Sequence, residues 1–171
     1  MSLVWNAHLI AISKRNKVMT TEQKELLFKD LSSRLPYGVV ILHEGWNYEW
    51  DDSLSTWERV VGIDDKFIYT KVIDTHTKEE YREDKHSISL FDDKPYLRPM
   101  SSMTAEEKKE YESLRILIPI SYNSYSSTYN LYTTDTMDSF DWLNANHFDY
   151  RGLIEKGLAI EVTEENNPYK E

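Results

Sequence analysis

The chain is predicted to be a single α+β domain: an N-terminal helix, a small antiparallel sheet or partly open barrel, then a helical C-terminal part closed by a short terminal strand. Three observations predict it. Thr20 and Gln23 have the spacing of a capping box, and Leu26, Leu27, Leu31 and Leu35 recur behind them at helical spacing. Between 39 and 91 lie four short runs rich in β-branched and aromatic residues, two of them separated only by Asp64 and Asp65 and a lysine. Thr104 with Glu107 then repeats the capping signature.

In chain order, the first helix should end before Pro36, because the residue preceding a proline is pushed out of the helical region, and Gly38 should supply the turn. ValValIleLeu at 39–42, the hairpin formed by 57–63 and 67–73, and SerIleSerLeuPhe at 87–91 supply the strands. A second helix should run from Thr104 to about Leu117 and stop at Pro119, and a third from Asp138 to Asn146 should bury Phe140, Leu143 and Trp142. A turn around ArgGlyLeuIleGluLysGly then leads to the strand LeuAlaIleGluVal. The expected domain spans 19–165, with 166–171 a frayed acidic tail. Residues 1–18 are expected to be an extension upstream of a native first residue at Met19, because the composition changes there and a helix start follows at once.

Composition narrows the function. A chain of 171 residues fits one domain, which buries about 70% of the surface its unfolded chain exposes. With no Cys, thiol catalysis and Cys-ligated zinc are excluded. A formal net charge of −10 argues against binding to a nucleic-acid backbone, which needs clustered Lys and Arg. It leaves open an acidic nucleic-acid mimic. No apolar run approaches the roughly 20 residues that span a bilayer, so a cytoplasmic protein without a membrane partner is expected. No glycine-rich phosphate loop, nucleophile elbow or HisGluXaaXaaHis is present, and no cofactor is expected.

The blocks ArgLeuProTyrGly (34–38), LysProTyrLeuArgProMetSerSerMetThr (94–104) and HisPheAspTyrArgGlyLeuIleGluLysGlyLeu (147–158) resemble a family of uncharacterised proteins from gut bacteria and their prophages or other mobile elements. The resemblance covers roughly residues 19–165 and implies a mobile-element setting, but no activity. From the residues themselves, the two prolines around TyrLeuArg predict an extended connector that docks Tyr96 and Leu97 on the core and leaves Arg98 to pair with a carboxylate. Arg34, Arg98 and Arg151 could instead converge on an anionic ligand.

Two aromatic segments are candidate interaction surfaces. Trp46, Tyr48 and Trp50 alternate as on one strand face near Trp57, and form either sheet core or contact surface. The segment 121–132 interleaves Tyr122, Tyr125, Tyr129 and Tyr132 with Ser and Asn, a composition that suits recognition loops and equally an irregular segment that folds back. The pairs Asp74/His76 and His147/Asp149 are the candidate metal ligands, each at i, i+2 spacing. The expected function is a non-enzymatic protein-interaction module of a bacterial prophage or mobile element. The alternatives are a small metal-dependent hydrolase or nuclease built on those four residues and, third, the nucleic-acid mimic.

Overall fold

The computed structural model describes residues 19–47, 52–87, 93–123, 125–126 and 128–170. Among them are three α-helices, a six-stranded sheet and a separate two-stranded sheet. Helix α1 (Thr21–Arg34) starts as its sequence dictates: the Thr20 hydroxyl accepts from Gln23 N at 3.2 Å and the Gln23 side chain accepts from Thr20 N at 3.0 Å. It tightens into a 3-10 turn at Leu35–Tyr37 and stops at Gly38, whose φ of 66° is left-handed. A side chain there would be strained twice, since a Cβ would lie 2.6 Å from Arg59 Nη1.

Strands β1 (Val40–Asn47), β2 (Asp52–Ile63), β3 (Phe67–Ile73) and β4 (Glu80–Ser87) form an antiparallel meander. Strand β5 (Lys94–Leu97) pairs antiparallel with β1, and β8 (Ile160–Glu161) pairs parallel with β5, giving the order β4-β3-β2-β1-β5-β8. The sheet is open rather than closed into a barrel. On one face Leu27 and Leu31 of α1, with Leu153 and Leu158 of the C-terminal turn, cover Val39, Ile41, Val60, Ile68 and Leu97. The opposite face buries Val40, Ile73 and Tyr96 with Leu42, Trp57, Ile160, Val162 and Tyr169.

Helix α2 (Ala105–Ser113) has the expected Thr104–Glu107 capping box, and α3 (Met137–Ala145) opens on a further box, Thr136 with Ser139. The two helices meet through Tyr111, Trp142, Leu143 and Phe148, with the Trp142 and Phe148 rings stacked 5.6 Å apart. None of the helices is long and apolar enough to cross a membrane.

Two expectations are corrected. The C-terminal part is not chiefly helical: α2 ends at Ser113, and residues expected to finish the helix enter strand β6 (Ile116–Asn123), which pairs with β7 (Thr128–Thr134). The run LeuArgIleLeuIle is apolar under either periodicity, and Pro119 is tolerated on an edge strand. A strand that was not expected lies at Glu80–Ser87, and its exposed charges suit a sheet edge; of the strand expected at 87–91, all but Ser87 lies outside the described residues. The tail is anchored, because Tyr169 is half-buried and its hydroxyl donates to Tyr96 O at 2.8 Å while accepting from Val40 N at 3.2 Å.

Candidate functional site

The β6–β7 hairpin leaves most of its described apolar residues uncovered. Ile118 lies directly opposite Tyr132, and Leu117 and Pro119 lie opposite Thr133 and Leu131, so alternation puts large apolar side chains on both faces. Leu117 is 63% exposed, Leu131 53%, Ile116 51% and Tyr132 46%, and none of the hairpin's described side chains is buried. At the tip Asn123 Oδ1 accepts from Tyr125 N at 3.0 Å and leaves the Tyr125 ring fully exposed. Tyr122 is paired with Tyr129, the side chains of both lying outside the described ones.

The base of the hairpin is tied down. Thr136 Oγ1 donates to Leu114 O at 2.7 Å, Arg115 Nη2 donates to Thr133 O at 3.3 Å, and Arg115 Nε lies 3.1 Å from Asp135 Oδ1. Asp135 also accepts from the Tyr111 hydroxyl at 2.5 Å, and burial together with this acidic neighbour pushes the phenol up to about 12. Neither strand has a second strand neighbour among the described residues.

The second arrangement is a polar cluster at one end of the face that α1 covers at the other. Strand alternation carries Val39 just before β1, Ile41 and His43 of β1, Thr56, Glu58 and Val60 of β2, and Ile68 and Thr70 of β3 to that face, with His86 of β4 opposite Ile68 and Asp93 just before β5. Glu58 is fully buried and accepts from Thr56 Oγ1 at 2.8 Å and Thr70 Oγ1 at 2.6 Å, with His86 Nε2 at 2.6 Å. Burial alone would raise its carboxyl, but these hydrogen bonds outweigh it and hold the group at about 2. His43 Nδ1 lies 2.9 and 3.0 Å from the two oxygens of Asp93, which raises the imidazole above its ordinary value, and the rings of His43 and His86 are 4.2 Å apart. His43, His86 and Asp93 offer three metal-competent atoms within 4.8 Å of one another.

The residues proposed from sequence as metal ligands do not join such a group among the described residues. Asp74 Oδ1 accepts from His76 N and Thr77 N, both at 2.8 Å, and so closes the β3–β4 turn. Asp149 accepts from Leu153 N and Ile154 N, both at 2.8 Å, and holds the C-terminal turn. His147 is stacked on Tyr169 with ring centroids 3.8 Å apart; burial and the nearby Arg34, Arg59 and Arg98 depress it to about 3, so it is neutral.

The arginines satisfy the protein's own carboxylates. Arg34 and Arg151 meet at Asp30, Arg34 through Nε at 2.7 Å and Nη2 at 3.1 Å and Arg151 through Nε at 3.2 Å, while Arg98 grips Glu107 at 2.7 and 2.9 Å. The connector around Arg98 thus takes the geometry its prolines suggest. Of the tryptophans, Trp57 packs on the sheet and donates from Nε1 to Tyr96 Oη at 3.1 Å. Trp46 is paired with Ser53 in β1, its side chain outside the described ones, and Trp50 lies outside the described residues.

Sequence inspection missed His43, Glu58, His86 and Asp93. The only local signal was a glutamate inside a strand-forming run, TrpGluArgValVal, two residues before Val60 and so on the same face as that apolar residue. Compared with known proteins, the chain finds no match: no family model, no curated protein and no solved structure matches it.

Proposed function

We propose that this chain is a non-enzymatic protein-interaction module that docks a partner protein on its β6–β7 hairpin, in the bacterial prophage or mobile-element setting suggested by its three sequence blocks. The observation that carries the proposal is the exposure of Leu117, Leu131, Ile116 and Tyr132 on a hairpin with no described side chain buried. A two-stranded hairpin is marginal in water unless a face is covered, and clustered exposed apolar side chains mark interaction sites. The exposed Tyr125 at the tip adds rigid amphipathic contact area of the kind recognition loops use.

The test is a quantitative pull-down from native host cells with the unaltered chain, the double variant Leu117→Ser/Leu131→Ser, and Tyr81→Ser as an exposed control on β4. The proposal expects a protein retained by the unaltered chain and by the control but lost from the double variant, whose melting temperature is unchanged. Equal recovery by all three would overturn it.

A further inference from the structure

We infer that His43, His86 and Asp93 form a binding site for a divalent first-row transition-metal cation such as Zn²⁺, with Glu58 as the residue that positions His86. Two imidazoles and one carboxylate suit such a cation, whereas Mg²⁺ and Ca²⁺ call for all-oxygen sets. The ligand atoms come from three different strand regions, yet His43 Nδ1 lies 2.9 Å from Asp93 Oδ1 and His86 Nδ1 lies 4.0 Å from Asp93 Oδ2. Ligands at about 2.0–2.2 Å from one tetrahedral ion are about 3.3 Å apart. These two spacings bracket that value and all three ligand atoms lie within 4.8 Å of one another, so they converge near one point.

The shell behind the ligands is the stronger argument. His86 Nε2 is occupied by Glu58 at 2.6 Å, which fixes the ring and turns Nδ1 toward Asp93. A carboxylate on the far nitrogen is the arrangement that orients metal-bound histidines. Glu58 is itself held by two threonine hydroxyls and has no exposed surface. Burying a carboxylate is costly, and a cation among the neighbouring ligands offsets that cost. Access is present, since the His43 side chain is 27% exposed while Asp93 and His86 are 4% and 10% exposed. The ionic group around Asp30, by contrast, is closed: its two arginines already neutralise it.

The test uses the full chain without an affinity tag, stripped with a chelator and titrated with Co²⁺ and then Zn²⁺. Expected is visible d–d absorption saturating at about one equivalent of Co²⁺ and displaced by Zn²⁺. His43→Ala, the change at the most exposed ligand, should weaken binding by more than roughly 100-fold, and Glu58→Gln by roughly 10- to 100-fold with the ligands intact. Thermal unfolding with and without Zn²⁺ checks each variant's fold, and His43→Gln replaces His43→Ala if the latter does not fold. No uptake by the folded unaltered chain would overturn the inference. So would equal uptake by the unaltered chain and a folded His43 variant, which would put the metal on other residues, such as His76.

Discussion

The described residues form two sheets, and they are finished differently. The six-stranded sheet is covered on one face by α1 and the C-terminal turn, and on the other by Trp57, Val162 and the returning Tyr169. The β6–β7 sheet carries comparable apolar side chains and buries none of those described. What separates them is the covering each face has found among the described residues. The first sheet is held by its own chain, and the second leaves the same kind of surface exposed.

Burial makes the largest difference testable. Leu31→Ala, at a residue with no exposure, should lower stability by about 4 kcal/mol through lost transfer energy and a cavity. Leu131→Ala, the same chemical change on the hairpin, should stay within about 0.5 kcal/mol. Denaturant unfolding of the two variants breaks the comparison if their losses are similar.

Acid gives the next effect and again separates the regions. His147, packed against the anchored tail, is depressed from 6.5 to about 3. The unfolded state therefore binds the extra proton between those values, and stability falls as pH drops below 6.5. Between pH 6.5 and pH 4 this amounts to roughly 3 kcal/mol. His147→Asn keeps a residue that tolerates the φ of 57° at this position and should flatten that limb in denaturant titrations. An unchanged slope would show that the histidine is not buried neutral. Smaller still, Gly38→Ala should cost about 1–2 kcal/mol, because the left-handed turn between α1 and β1 then carries a Cβ against Arg59.

What was legible in the sequence follows the range of each interaction. The capping boxes at Thr20 and Thr104, the stop before Pro36 and the β2–β3 hairpin were readable because each depends on residues within a few positions. The stretch from Leu114 to Pro119 was misassigned because an unbroken apolar run fits both a helix and a strand, and tertiary context decides. Tyr169 sits in a polar tail and finds His147 and Tyr96 only through the fold. The cluster of His43, Glu58, His86 and Asp93 was illegible for the same reason: register across four strands assembles it, while the two visible i, i+2 pairs were spent on turns.

The most direct measurement of the central claim is photo-crosslinking in native host cells, with a photoreactive residue placed in turn at Leu117, at Leu131 and, as the control, at exposed Tyr81 on β4. The account predicts one protein adduct of the same mass from Leu117 and Leu131 and none from Tyr81. Adducts that are absent from the hairpin, or the same at all three positions, would contradict it.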